Sequence, residues 1–415
     1  MSNIRVAMIT FDWYPFDPLV RRIAVAAVDE GHQVDVICLS QKGEKRYEVS
    51  DGVNVYRLPM DRGYGQSLPL TLLIWFWFTI RAGLKVARLH FKRRYDIVHV
   101  HNMPDFLVFS ALIPRIFGAK VILHVQDVSP ELMASKARGR TRKLINRLAI
   151  FEERISTAFA HHVITVGWPF EELLLKRGVP KEKLTIILNS ADPKIFPAAR
   201  RSDPFGGTPS NDRPLILMYH GTVAERNGLD VAVRALALAM PDAPYLRLHI
   251  QGRGEYIPVL QELAKELGVL DRMRFTPPQP PEHIVDFVVE GDVGIIPYRN
   301  DDFMKLILPT KAYEFSWMCR PMIVSDTPAI RSMFRPESIV LCDPSKPESF
   351  AEAIVELYHD AEKRVKLAAN AAEDYHTFQW ENMAERYRTL LKSLSGKQQS
   401  LEQQELSSSV AGGGR

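Results

Sequence analysis

The sequence predicts an α/β protein of two Rossmann-like, doubly wound domains facing each other across a cleft. Apolar strands alternate with helical stretches along most of the chain, the rhythm of βαβ units and parallel sheets. That rhythm breaks at a stretch rich in Pro, Gly, Ser and Asp, 197–214, and then restarts. A chain of 415 residues suits two cores at roughly 100–200 residues per domain. In open α/β sheets ligands bind outside the carboxyl ends of the strands, so functional residues are expected in the strand-to-helix loops.

The elements follow in order. Ile4–Thr10 is a strand, 11–18 a polar loop, and a helix runs to Glu30 with Gly31 placed to end it. Gln33–Leu39, Asp96–His101, Ala119–Val125, His162–Val166 and Leu184–Leu188 are further strands, with helices expected at Phe106–Phe117 and Leu144–Ala160. The second series has strands at Leu215–Tyr219, Leu246–Gln251, Arg272–Thr276, Val293–Pro297 and Pro321–Ser325. Its helices are expected at Leu229–Ala239, Ile257–Leu267, Thr310–Met318, Pro347–Asp360 and Glu362–Tyr375. The expected domains are therefore 1–195 and 215–376, joined by a linker, 196–214. A C-terminal helix, 377–394, is free to pack back on the first domain. The end of the chain, 395–415, is rich in Gln, Ser and Gly and expected to be disordered.

Leu68–Ile80 (LPLTLLIWFWFTI) stands apart. It is strongly apolar but shorter than the roughly 20 residues of a membrane span, and Arg81 and Lys85 follow closely. It reads either as a buried helix of the first domain or as an interfacial helix whose aromatic face touches lipid, with Lys92, Arg93 and Arg94 suited to anionic headgroups.

Bulk features narrow the class. Cys38, Cys319 and Cys342 are widely spaced and form no metal or disulfide pattern, which suits a reducing compartment. The N-terminus runs straight into a strand pattern without the apolar region of a signal peptide, so a cytoplasmic protein is expected. Residues 1–195 hold 28 Lys+Arg against 19 Asp+Glu, whereas 196–415 hold 25 against 30. The basic first half points to an anionic partner or to a solvated basic surface. No nucleic-acid readout motif or aromatic stacking platform accompanies it, so no nucleic-acid partner is expected.

Three segments carry chemistry. In YHGTVAERNGLDVAVRAL (219–236) a strand ends at Gly221, a tight loop carries Arg226, and Gly228 precedes a helix. Such a loop offers backbone N–H groups and a guanidinium to an anion, a diphosphate above all. In LPTKAYEFSWMCRPMIVSD (308–326) a short helix carries Glu314, a carboxylate able to accept both hydroxyls of a ribose. Lys311, one turn earlier, also fits a solvated i,i+3 ion pair with it. LHIQGRGE (248–255) ends a strand in a Gly-x-Gly turn at Gly252, which by itself suits any sharp connection.

In order and approximate spacing these segments resemble the family 4 retaining glycosyltransferases (group 1). YDIVHVHNMPDF, GAKVILHVQDVSPEL and ITVGWPFEELLLKRGVPKEKLTIILNSADPKIF are similar to that family's first half, with Asn189, Asp192 and Phe196 at its usual Asn, Asp and Phe. HGTVAERNGLD, IQGRGE, RMRF, DVGIIPY and PTKAYEFSWMCRPMIVSD follow in family order. The resemblance implies a GT-B fold, no catalytic metal or other cofactor, and a nucleoside diphosphate sugar donor, UDP- or GDP-linked, whose sugar is transferred with retention. It implies Arg226 on the diphosphate, Glu314 on the ribose and Arg274–Thr276 near the base. The donor set is Gly221, Thr222, Arg226, Asn227, Gly252, Leu308, Thr310, Lys311 and Glu314.

The chain departs from the family at three places. The upstream glutamate partner of Glu314 is Leu306, the usual phosphate-binding Arg and Lys are Thr222 and Asn227, and the usual His-Asp pair is Gln126-Asp127. Gln126 can hydrogen-bond a hydroxyl but carry no proton, Asp127 can orient the acceptor or accept its proton, and His124 shares the strand face of Gln126. These three are the catalytic candidates, although His124 also fits a satisfied core histidine. His99 and His101 share a face at a strand end before Asn102, but without a third ligand no metal site is expected. His101, Asp17 and Arg21 are acceptor candidates, with Asp12 beside them in the first loop. The function expected is transfer to a saccharide or lipid-linked acceptor in cell-envelope or exopolysaccharide assembly, with peripheral contact to an anionic membrane. The alternatives are a sugar-nucleotide epimerase of the same shape and a non-catalytic partner protein that binds sugar nucleotide.

Overall fold

The computed structural model describes residues 3–63, 67–136, 139–280 and 283–396. The chain forms two compact units, Met1–Leu188 with Glu381–Arg415, and Asn189–Trp380. The first contains β1 (Arg5–Trp13), α1 (Pro18–Asp29), β2 (Gln33–Leu39), β3 (Tyr47–Ser50), β4 (Val53–Leu58), α2 (Leu68–Arg93) and β5 (Ile97–His101). After a 3-10 run, Asp105–Ala111, come α3 (Leu112–Ile116), β6 (Lys120–Val125), α4 (Ser129–Lys136), α5 (Gly139–Phe159), β7 (His162–Thr165), α6 (Trp168–Lys176) and β8 (Leu184–Ile186). The sheet order is β3-β4-β2-β1-β5-β6-β7-β8. All neighbours pair in parallel except β3 with β4. The central strands are continuous apolar runs because helices cover both faces; Val6 to Ile9 of β1 are fully buried. Asp17 starts α1 by accepting from the N–H groups of Leu19 and Val20 at 3.0 and 3.1 Å, with Pro18 at the first helical position.

Several expectations are corrected in this unit. The edge strand β3 is polar and partly exposed, and the buried β4 interleaves Asn54 and Arg57 with its apolar residues, so neither gives an apolar run to detect. The expected helix over Phe106–Phe117 is the 3-10 run followed by one short helix. The apolar stretch at 68 does not end near Ile80. Helix α2 continues to Arg93, because Arg81 and Lys85 fall beside its buried stripe of Phe78, Ala82, Val86 and Leu89. That stripe packs on β1, β2 and the 3-10 run. Upstream of Phe78 there is no such stripe: Leu72, Leu73, Phe76 and Trp77 are exposed. The first half of α2 is therefore not a core helix.

The second unit contains β9 (Leu215–Thr222), α7 (Leu229–Ala239), β10 (Leu246–Arg253), α8 (Ile257–Glu266), β11 (Met273–Thr276), α9 (Ile284–Glu290) and β12 (Val293–Ile296). It continues with α10 (Thr310–Trp317), β13 (Met322–Ser325), α11 (Pro328–Arg331), β14 (Val340–Cys342), α12 (Pro347–His359) and α13 (Ala361–His376). Its parallel sheet runs β11-β10-β9-β12-β13-β14, the order of a dinucleotide-binding sheet.

The segment expected as a linker, 196–214, is fixed to this second unit. Arg320 donates to Ser202 O at 2.9 Å, and the fully buried Arg364 donates to Phe205 O at 2.9 Å and Gly207 O at 2.6 Å. Two guanidinium groups thus satisfy the carbonyls of an irregular strap. The units divide at Leu188 rather than at 195; Ala191 N–H already donates to Tyr375 Oη at 2.9 Å. The last helix, α14 (Trp380–Ser395), belongs from Glu381 to the first unit, where Arg388 donates to Ala26 O at 3.1 Å and Lys392 to Glu30 at 2.7 Å. The tail expected at 395–415 lies outside the described residues from 397 onward.

Candidate functional site

In the second unit the strand order reverses between β9 and β12, and a ligand is expected beside the carboxyl ends there. Gly221 and Thr222 end β9 in register with Gly252 and Arg253 of β10. A Cβ on Gly252 would stand 1.8 Å from Gly221 O, so this position excludes any side chain and lets the two strand ends touch. Gly221 itself has φ +115°, which disfavours a side chain there.

Helix α10 supplies Lys311 and Glu314, but they do not pair with each other. Lys311 is buried; its Nζ donates to Tyr298 Oη at 2.6 Å and lies 4.6 and 4.8 Å from the ring centres of Tyr219 and Tyr298. It sits 3.9 Å from the place a Cβ would take on Gly221, directly under the loop. Glu314 Oε2 lies 2.9 Å from His220 Nε2. This contact meets the distance of an ion pair but lacks the direction of a hydrogen bond, leaving both atoms without a hydrogen-bond partner among the described residues. The i,i+3 ion pair is thereby corrected: two tyrosines and a histidine outcompete it.

Arg226 is exposed on the turn Glu225–Asn227. Asn227 is not directed at a ligand; it is buried, and its Oδ1 accepts from Ala224 N–H at 3.3 Å to shape that turn. Arg299 locks the turn from behind, with two bonds to Asp230 at 2.8 and 3.0 Å and one to Glu225 O at 3.0 Å. Leu306 ends a 3-10 turn, and Leu308 and Thr310 are half-buried just ahead of and at the start of α10. Arg274 is already engaged by Glu290 at 2.6 Å. Exposed Arg253, between two glycines, has no signal in the sequence because nothing there gives its direction. The edge thus gathers three cations, Arg226, Arg253 and Lys311, with one carboxylate beyond them, a set suited to an anion with a polyol attached.

The first unit has a cavity of about 460 Å³ at its own switch point between β1 and β5. Asp12, Asp17, Arg62, Trp75, Asn102, Gln126 and Asp127 line it. Asp12 pairs with Arg62 and accepts from Trp13 N–H at 2.8 Å. Burial holds the Asp17 carboxyl above its usual range. Asn102, which no sequence signal marks, is the clamp. Its Nδ2 donates to Asp105 Oδ1 at 2.7 Å and Asp127 O at 2.6 Å, and its Oδ1 accepts from Gln126 N–H at 2.7 Å and Asp127 N–H at 3.3 Å. It fixes the end of β6 against the end of β5 and so sets where Gln126 and Asp127 stand. Beneath it Asp105 is fully buried, its carboxyl pushed up to about 6 chiefly by burial.

The other candidates lie elsewhere. Arg21 bonds Asp51 at 3.3 Å and does not line the cavity. His101 and His124 are fully buried and do not line it either. The register pairs His101 with His124, so His99, His101 and His124 share the sheet face that meets Tyr387 of α14. Gln126 connects them to the cavity by its side chain, its Nε2 lying 3.4 Å from His101 Nδ1, and Asn102 by its backbone N–H, which donates to His124 O at 2.9 Å. His124 is no proton carrier for a bound acceptor, and His101 is no acceptor contact.

Two doubly wound units, one with a cationic, glycine-edged loop and the other with a carboxylate-lined cavity, share the GT-B fold of known structures, and two glycosyltransferase family models cover them. The family described as "Glycosyl transferase 4-like domain" matches residues 18–190, and "Glycosyl transferases group 1" matches 201–374. The chain belongs to the group 1, family 4 glycosyltransferases. Among curated relatives, a D-inositol 3-phosphate glycosyltransferase of Thermomonospora curvata is 25% identical over 73% of this chain and 72% of its own. The D-inositol 3-phosphate glycosyltransferase of Acidothermus cellulolyticus is 24% identical over 94% of this chain and 88% of its own. Among solved structures, the sucrose-phosphate synthase of Thermosynechococcus elongatus superposes with a TM-score of 0.73 at 18% identity, covering 94% of this chain and 99% of its own. HepE of Anabaena, solved with UDP and glucose, gives 0.69 at 14% identity over 94% and 100%.

Proposed function

We propose that the chain transfers a sugar, with retention, from a UDP- or GDP-linked donor to a saccharide or lipid-linked acceptor at a cytoplasmic membrane surface, in envelope or exopolysaccharide assembly. The carrying observation is the buried Lys311 held by two tyrosines beneath Gly221, with exposed Arg226 and Arg253 at the same edge. Preorganised cations of this kind stabilise the charge that grows on a leaving diphosphate. The partly accessible Glu314 accepts the ribose hydroxyls. In the first unit Asp127 and Gln126 receive the acceptor hydroxyl. The UDP bound by HepE and the inositol acceptors named for the curated relatives are in keeping with a nucleotide donor and a polyol acceptor. The donor test is a thermal-shift series with nucleoside diphosphates and their sugars. One base should stabilise the protein, and Glu314→Ala should weaken its affinity at least tenfold. No response to any nucleotide would refute the donor assignment.

The membrane part rests on α2. Exposed Leu72, Leu73, Phe76 and Trp77 precede a C-terminal half bearing Arg88, Lys92 and Arg93, with Arg94 just after it, the make-up of a helix lying in an anionic interface. Co-sedimentation with vesicles containing phosphatidylglycerol should be strong for the wild type and at least tenfold weaker for Phe76→Glu/Trp77→Glu. Equal sedimentation of the two proteins removes α2 as the contact.

A further inference from the structure

We propose that His99, His101 and His124 form a binding site for a borderline divalent transition cation, zinc foremost, inside the first unit. Strand β5 contributes two imidazoles at i and i+2, and β6 places His124 opposite His101. This is the third ligand that spacing along the chain could not supply. One ring nitrogen from each histidine lies within 4.8 Å of one from each of the others. All three residues are fully buried.

The unsatisfied nitrogens carry the argument. Nε2 of all three histidines, and Nδ1 of His124, have no hydrogen-bond partner among the described residues. Each such atom is costly in a core, and native cores rarely keep several together. One cation would satisfy three at once. The opposite nitrogens of two rings are held from outside, as ligating imidazoles usually are. His99 Nδ1 lies 2.9 Å from Tyr387 Oη, and His101 Nδ1 lies 3.4 Å from Gln126 Nε2, whose amide turns over to present its oxygen when His101 ligates through Nε2. Burial also keeps the rings in the neutral form that donates a lone pair, with His101 pushed down to about 3 and His99 and His124 well below their ordinary range.

An all-imidazole set suits zinc, copper or nickel rather than magnesium or calcium. The ring centres stand 4.2, 5.2 and 5.5 Å apart. Zinc–nitrogen distances of about 2.0–2.1 Å place ligand nitrogens about 3.4 Å apart, so nitrogens now within 4.8 Å of one another would close by up to about 1.4 Å through ring rotation, with water in the fourth place. The ion would join β5, β6 and, through Tyr387, α14. It has a structural role in the first unit, independent of the donor loop in the second and of the activity proposed above.

The test uses the full-length chain, purified without an affinity metal and assayed for bound metals by mass spectrometry. The wild type should hold about one zinc per chain after a brief EDTA wash. His124→Gln should hold less than a tenth of that, and His162→Gln, a buried histidine bonded to Thr185 outside the cluster, should keep the wild-type amount. Wild-type protein unfolded and refolded in chelator should regain several degrees in Tm on refolding with zinc. Wild-type protein with no retained metal, metal lost in the EDTA wash, or equal metal in His124→Gln would each overturn the site. Should His124→Gln fail to fold, an identical Tm for wild type refolded with and without zinc overturns it on its own.

Discussion

Replacing Asn102 with Ala tests whether the clamp, rather than the strand itself, holds Asp127 in place. The amide makes four contacts between 2.6 and 3.3 Å, to Asp105, Gln126 and both backbone groups of Asp127. Loss of the bond to the Asp105 carboxyl is worth about 1.5–3 kcal/mol, and each backbone bond about 0.5–1.5 kcal/mol. Asn102 borders the cavity, so water can replace part of this. A net loss of about 3 kcal/mol in the first unit follows, read as a lower urea midpoint and faster exchange of the Gln126 and Asp127 amides. A displacement of about 1 Å at a reacting group costs on the order of 10²-fold. The kcat/KM for acceptor should therefore fall 10- to 100-fold while nucleotide affinity in the second unit stays within twofold. Asn102→Asp keeps the shape but sets a second carboxylate against that of Asp105 and against Asp127 O, so its defect should be worse at pH 8 than at pH 5.5. The alanine variant should lack that dependence. A stability loss under about 1 kcal/mol together with unchanged acceptor kinetics would refute the clamp.

Two further outcomes follow from geometry and charge. Gly252→Ala puts a Cβ 1.8 Å from Gly221 O, a backbone atom that cannot step aside, so nucleotide binding should be lost and stability reduced by about 1–3 kcal/mol. Gly206→Ala, with nothing within 4 Å, should be neutral in the same thermal shift. The first unit should also show a stability plateau bounded on both sides. Burial raises Glu152 to about 8, Glu153 to about 7 and Asp105 to about 6, so the folded state keeps protons that the unfolded chain has already released, and stability falls as pH rises through these values. Burial lowers His99, His101 and His124, so the unfolded chain takes up protons first, and stability falls as pH drops below about 6.5. Each unmatched proton shifts stability by about 1.4 kcal/mol per pH unit. Between about pH 4.5 and 6.5 the three acids and the three histidines pull in opposite directions and offset each other, so urea midpoints should be level there and lower at pH 8 and at pH 3.5. A monotonic rise to pH 8 would contradict the assigned burial of the acids.

The parts of this protein that were legible in its sequence are those fixed by local chemistry. Apolar strands ending in glycine or polar loops located β1, β6 and β9, which are buried on both faces, and alternation located β5 and β10. Motif order then assigned Arg226, Lys311 and Glu314 to one edge. What stayed hidden depends on direction and on partners distant in the chain. His124 and Gln126 occupy one alternating face in the sequence, yet His124 points into the core while Gln126 lies just past the strand end and lines the cavity. Lys311 has a carboxylate one turn away, yet desolvation and two aromatic faces set its partner. Buried Arg320 and Arg364 turn a linker-like composition into a fixed strap, and no local signal in 197–214 announces them.

Charge shows the same separation between sum and place. The first half of the chain is basic and the second acidic, but the sites have the opposite sign. Among the described residues that line the cavity of the first unit, Asp12, Asp17 and Asp127 outnumber Arg62. The loop edge of the second unit carries Arg226, Arg253 and Lys311 against Glu314. The basic surplus of the first unit lies instead on helix surfaces, including exposed Arg88, Lys92 and Arg94 at and just past the end of α2 and Arg142, Lys143, Arg147 and Arg154 on α5. A net charge therefore locates no ligand in this protein. The excess of cations describes the outer surface of the first unit, and the anion-binding edge proposed above falls in the unit built from the acidic half of the chain. Salt should separate the two: at about 0.5 M the Debye length is near 4–5 Å, which weakens the exposed α2 surface on anionic vesicles far more than nucleotide binding at the buried Lys311. If both fell in parallel, the diphosphate would be held by the exposed Arg226 and Arg253 alone.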